Sequence, residues 1–223
     1  METERRKEQP GDARPGSPPP GSEGEEQRHF LYKPREMGSK YRQMSKVLLH
    51  ICCGPCSITT LKTLLDTGHE VTGLFYNPNI HPLMEYVKRR DGCLAVAEKM
   101  GVKIIVKDNE YRPQEWFRAV AHRENNRCFH CYAMRLERTS QIAKRGGFDF
   151  FTTTLLYSKY QKHDEIAALG RDLESAKTKF LYHDFREGWK EGIETSKAWE
   201  IYRQQYCGCL YSENERYKRE LMD

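Results

Sequence analysis

No run of about 18 apolar residues occurs in this 223-residue chain, so the sequence offers no membrane-spanning helix. The opening stretch, METERRKEQPGDARPG, lacks the apolar core of a secretory signal and is too acidic and proline-rich for an amphipathic presequence. The expectation is a soluble, cytoplasmic protein with no membrane partner. Apolar residues are also scarce, at 38%, against 31% charged. Much of that imbalance sits at one end. Residues 1–28 hold five of the ten prolines, five basic and seven acidic side chains, and almost nothing apolar. Such a stretch cannot bury enough surface to offset chain entropy, so residues 1–45 are expected to form a disordered, acidic, Pro-rich tail. The 195 residues after position 28 carry 32 basic and 25 acidic side chains, a surplus of seven positive charges. No internal repeat is visible.

What is present reads as one α/β domain over 46–223. Residues 47–51, VLLHI, form a nearly continuous apolar run, as expected of a strand buried on both faces. Further strands are expected at 71–76, at 102–106 and at 148–156 (FDFFTTTLL), with a short one at 179–182. Helices are expected after the first strand to about Leu65, over 82–100 with Leu83, Val87, Leu94 and Ala97 on one face and Gly101 as its stop, and over 114–122 and 132–145. Strands alternating with helices imply parallel crossovers, hence an open parallel sheet with a helical C-terminal region. Ligands of such sheets bind just past the strand ends.

That is where the cysteines lie. Eight cysteines in a reducing compartment point to metal ligands or redox groups rather than structural disulfides. Cys128 and Cys131 form a C-x-x-C pair opening a helix, whose N-terminus favours thiolate. Cys52 and Cys53 are adjacent, and Gly54-Pro55 supplies the turn that would let both sulfurs approach one centre. Together these four make a Cys₄ set, which zinc and a [4Fe–4S] cluster can both use. A vicinal pair at the end of a buried strand is unusual for a zinc ribbon and favours iron–sulfur, with zinc left open. Cys56 is a further ligand, to a second metal, or a thiol facing the site. In Cys207-Gly208-Cys209 two sulfurs can bond only in a tight, strained ring, and strained disulfides are readily reduced. The pair suits a thiol–disulfide relay; two more metal ligands or two ordinary thiols are the alternatives. Cys93, inside a helical pattern, reads as a small core residue. His50 and His81, near strand ends, read as structural.

The segments LLHICCGPCS, NPNIHP, ENNRCFHCYAMRLERT, TTTLLYSKYQKHDEI and YCGC resemble, in that order, the cobalamin-independent epoxyqueuosine reductases of the QueH family, from about residue 46 to 211. Residues 1–45 have no counterpart. The resemblance implies a HUP-type, Rossmann-like domain and the last step of queuosine synthesis: two-electron reduction of the epoxide of epoxyqueuosine at the tRNA wobble position. It implies a [4Fe–4S] cluster on Cys52, Cys53, Cys128 and Cys131, an adjacent mononuclear metal (iron or zinc), and a redox-active disulfide between Cys207 and Cys209. Cys56 stands where some members have Asp; both can ligate a metal. The partners implied are the tRNA anticodon loop and an unidentified electron donor. In the loop after FDFFTTTLL, Tyr160, His163 and Asp164 are candidate catalytic groups, with Tyr157 beside them, and Lys159 and Arg127 are candidate substrate contacts. RNA loops are read by aromatic and Arg planes with phosphate contacts, which a basic body suits. Two rivals stand beside this. A PP-loop tRNA thiolase needs a glycine-rich phosphate turn, where this chain has CCGPCS, with one glycine and a proline that removes an N–H. A zinc-stapled RNA-binding module would have no need of the C-x-C pair.

Overall fold

The computed structural model describes residues 44–221, so the expected tail lies outside the described residues except for its last two. The apolar run forms β1 (Lys46–His50), and α1 (Gly54–Asp66) follows at once with proline in its first turn, where a missing N–H costs nothing. β2 (Glu70–Phe75), α2 (Leu83–Met100) and β3 (Lys103–Val106) continue the alternation, α2 stopping on Gly101 in the left-handed conformation. Then come α3 (Pro113–Val120), α4 (Arg127–Arg145), β4 (Phe150–Thr153), α5 (His163–Asp172) and β5 (Lys179–Phe180). Two helices, α6 (Trp189–Ala198) and α7 (Leu210–Tyr217), close the helical C-terminal region.

All strand pairings are parallel, in the order β3-β2-β1-β4-β5. From β1 the chain winds outward through β2 and β3, then crosses back to β4 on the other side of β1. The order therefore reverses between β1 and β4, and the crevice outside the carboxyl ends of those two strands is where an open α/β sheet accepts ligands. β1 is buried along Val47, Leu48, Leu49 and His50, and Phe151 of β4 and Leu74 and Phe75 of β2 complete the central core. No helix among the described residues is long and apolar enough to cross a membrane.

Three expectations need correction. The inward face of α2 is not the Leu83–Leu94 stripe: those two leucines are exposed, and Glu85, Tyr86, Arg89, Cys93, Val96 and Met100 are buried instead. A buried ion pair between Glu85 and Arg89 sits where apolar periodicity looks only for hydrophobes. FDFFTTTLL is not one strand. Thr153 Oγ1 accepts from Leu155 N and turns the chain into a 3₁₀ segment, Thr154–Tyr157. Finally, α4 starts five residues before the expected 132–145, so that Cys128 and Cys131 open it, as their C-x-x-C spacing implied.

Candidate active site

Cys52 and Cys53 leave the end of β1, and Cys56 lies in the first turn of α1. The three sulfurs lie within 4.8 Å of one another, Cys53 Sγ to Cys56 Sγ being 2.8 Å and Cys52 Sγ to Cys53 Sγ 3.7 Å. Gly54-Pro55 makes the turn that gathers them, and Gly54 is forced: a Cβ there would lie 2.5 Å from Gly92 O of α2. Across the switch point, Thr154 after β4 accepts from Cys52 N at 3.0 Å, and its hydroxyl donates to Cys52 Sγ at 3.2 Å. Gln204 Nε2 donates to Cys53 Sγ at 3.0 Å. The three thiols do not ionise alike. Cys52 is held well below the ordinary thiol value because Cys53 and Cys56 donate to it. Cys53 is pushed up, first by burial, and Cys56 is pushed up, first by its hydrogen bond to Cys52. A cation placed against this group would release the other two protons, which is how a thiol cluster suited to a metal behaves.

Cys128 and Cys131 lie one turn apart at the start of α4, Cys128 half-buried and Cys131 buried. Burial pushes both thiols up, Cys131 to about 12, and the nearby Cys207 and Cys209 add to the push. Cys131 Sγ accepts from Asn79 Nδ2 at 2.9 Å, and Asn79 Oδ1 accepts from Arg135 Nε at 2.9 Å. Arg135 is only 2% exposed. Its charge acts on both Cys52 and Cys131, favouring the thiolate of each. Cys207 is exposed, Cys209 half-exposed, and both are free thiols; Gln161 Nε2 approaches Cys207 Sγ at 3.4 Å while its Oε1 accepts from Tyr132 OH.

These groups open onto a cavity of about 310 Å³ whose lining includes Cys52, Cys56 and Cys207. Three guanidinium side chains, Arg89, Arg135 and Arg203, line it, with Gln161, Gln204 and Gln205 and, among the described residues, no Asp or Glu. Such a wall suits an occupant rich in oxygen acceptors. Of the expected donors, Tyr160 lines the cavity and is 78% exposed. Tyr157 also lines it, but its hydroxyl donates to Trp189 O. His163 is buried with Nε2 on Ser158 O, and Asp164 is exposed in the first turn of α5; neither lines the cavity. Lys159 Nζ lies 5.2 Å from the Tyr160 ring centre and 5.0 Å from that of Trp189 at the rim. Arg127 is paired with Glu215 and lies over the Tyr211 ring, outside the lining.

Sequence reasoning missed the amide and hydroxyl partners of the sulfurs, Asn79, Thr154, Gln161 and Gln204, which carry no spacing signal. Trp189 and Arg203, far along the chain, were equally silent. Cys93 is buried in the core, as a lone helical cysteine should be.

The geometry is matched by sequence likeness to known proteins. The chain is 39% identical over 184 residues to the Thermotoga maritima protein named Epoxyqueuosine reductase QueH, covering 78% of this chain and 93% of that one. Proteins of the same name from Dehalococcoides mccartyi (35% over 173 residues, 77% and 94% covered) and Haemophilus influenzae (38% over 179 residues, 75% and 71%) are also similar. A family model described as Epoxyqueuosine reductase QueH matches residues 47–215, from β1 into α7. By that extent of likeness, spanning every cysteine segment described above, the chain belongs to the QueH family of epoxyqueuosine reductases.

Proposed function

We propose that this chain reduces epoxyqueuosine at the wobble position of tRNA to queuosine, in the cytoplasm, as the last step of queuosine synthesis. Two electrons and two protons turn the epoxide into an alkene and water. The observation that carries the reading is the convergence of Cys52, Cys56 and Cys207 on one Arg-lined cavity at the switch point of the sheet. Neither rival is favoured: the turn after β1 gathers thiols rather than N–H groups for a phosphate, and Cys207 of the C-x-C pair borders the cavity.

The residues fit a metal group, since three sulfur donors already lie within 4.8 Å of one another with their protons unequally held. Cys52, Cys53, Cys128 and Cys131 would hold a [4Fe–4S] cluster, with Cys56 available to an adjacent iron or zinc ion. When bound, these groups supply electrons and Lewis acidity. The protein's own part is binding, orientation and proton supply. Arg135 and Arg203 present donors to the oxygens of the substrate, and the exposed Tyr160 hydroxyl is the phenol best placed to deliver a proton. His163 acts through Ser158, whose carbonyl it holds at 3.2 Å. Lys159, Tyr160 and Trp189 form a rim on which anticodon-loop bases stack. Cys207 and Cys209 relay electrons from the donor.

The test is reconstitution of the anaerobically purified chain with epoxyqueuosine-containing tRNA, a strong chemical reductant and nucleoside mass analysis. Conversion to queuosine is expected. An iron-loaded chain that leaves the epoxide intact would sink the assignment. Replacing Cys207 or Cys209 by Ser should spare turnover with the chemical reductant and abolish it with the physiological donor.

A further inference from the structure

Residues 201–209 form neither helix nor strand, so their backbone carbonyls need partners from elsewhere. Three consecutive carbonyls across the C-x-C pair find them on one side of the molecule. Arg89 Nη2 donates to Tyr206 O at 3.0 Å and Arg89 Nη1 to Cys207 O at 2.8 Å. His81 N donates to Gly208 O at 2.7 Å. Arg89 is 2% exposed, and burying a guanidinium is costly without a partner. Glu85, one turn away on α2, supplies it: Arg89 Nε donates to Glu85 Oε1 at 2.7 Å, and Tyr202 OH donates to Glu85 Oε2 at 2.5 Å. Outside the ion pair, the hydrogen bonds of Arg89 end on the two carbonyls at Cys207. Gly208 lies at φ 140°, and a Cβ there would meet Arg89 Nη1 at 3.1 Å. A buried ion pair on the helix below is thus directed at the backbone of Tyr206 and Cys207, the first of two thiols that are both free.

We infer that Arg89, held by Glu85, is a positioning residue that sets the redox balance of the Cys207/Cys209 pair. The inference rests on the relay role proposed above. In that role the two thiols lose two protons and two electrons and form one S–S bond, and the electrons go to the epoxide, whose oxygen leaves as water. Closing a ring across one residue requires the backbone on both sides of Gly208 to turn. The clamp fixes two carbonyls there, beside the one that His81 N holds, in the dithiol conformation. It therefore favours the dithiol and strains the disulfide, and a strained disulfide is the one that an external donor readily reduces again.

The experiment equilibrates the full chain, metal content intact, in graded ratios of oxidised to reduced glutathione. Differential alkylation then reads the tryptic peptide 204–216, which holds Cys207 and Cys209 and no other cysteine. In Arg89→Gln the disulfide should resist reduction about tenfold more than in the unaltered chain, a shift of about 30 mV. Because that change leaves Glu85 buried without its partner, the double variant Glu85→Gln/Arg89→Met, which buries no lone charge, is measured alongside and should shift in the same direction. A folded variant with an equilibrium within twofold of the unaltered chain overturns the clamp. An unaltered chain that forms no Cys207–Cys209 bond at any ratio overturns the relay, and the inference with it.

Discussion

His50 closes β1 with its ring fully buried, Nε2 against Tyr76 O at 3.1 Å and Nδ1 against Thr153 Oγ1 at 2.9 Å. A carbonyl can only accept, so Nε2 carries the hydrogen and Nδ1 accepts from the threonine hydroxyl, which fixes the neutral tautomer. Burial, then the charge of Arg135, lowers the ring's pKa from 6.5 to about 4. The unfolded chain therefore binds the proton first. The stability that neutral His50 contributes is complete above about pH 6.5 and is lost as the pH falls toward 4, by about 2 kcal/mol at pH 5. Urea midpoints at pH 7 and pH 5 should differ less in His50→Gln than in the unaltered chain; an identical difference would place the titration elsewhere. His81, lowered to about 4 by burial and Arg135, adds in the same direction. The cysteines allow a second comparison. Cys56 and Cys93 are both buried, but only Cys56 belongs to the three-sulfur group. Cys56→Ser should lose the single adjacent iron or zinc ion and keep the other irons, while Cys93→Ser keeps all the metal; elemental analysis after anaerobic purification decides.

Between elements, the packing that matters most for the site is the crossing of α1 over α2. Gly54 opens α1 against Gly92 of α2, and an added Cβ would lie 2.5 Å from Gly92 O, 2.7 Å from Gly92 C and 2.8 Å from Ile201 Cγ2. Two of those three atoms are backbone and cannot swing away. Gly54→Ala should cost about 1–3 kcal/mol of stability as overpacking does, and should also lower metal loading, because the same turn gathers Cys52, Cys53 and Cys56. Thermal unfolding together with metal analysis tests both halves; a stable, fully loaded variant would show that α1 can lift without moving the sulfurs. The apolar stripe expected on α2 failed for an instructive reason. Leu83 and Leu94 are exposed and the inward face is given to Glu85 and Arg89, because the irregular segment over it needs donors more than it needs methyl groups.

Taken whole, the described residues place an Arg-lined mouth, with no Asp or Glu among them in its lining, at the switch point of a parallel sheet, with an aromatic rim of Tyr160 and Trp189. Binding of an anticodon stem-loop there should weaken with salt, with a log–log slope of about 0.7 for each phosphate that the protein neutralises. Arg203, exposed on the lining, is the residue best placed to neutralise one. Filter binding of Arg203→Ala across a salt series should show a slope shallower by about that amount, with metal content unchanged. A slope equal to that of the unaltered chain would place Arg203 off the RNA path.

The succession of strands and helices and the placement of the cysteines just past strand ends and at helix starts were legible in the chain itself, because apolar period and cysteine spacing are local signals. VLLHI, the Gly101 stop and CCGPC each announce their role within a few residues. Only folding could settle that Cys56 joins Cys52 and Cys53, that Asn79, Thr154 and Gln204 hydrogen-bond the sulfurs, and that Arg89 reaches across to residues 206 and 207. Those interactions join residues up to 151 positions apart. Single amides, hydroxyls and guanidiniums have no period and no motif, so their partners emerge only when β1, β4 and the C-terminal segment meet at one end of the sheet.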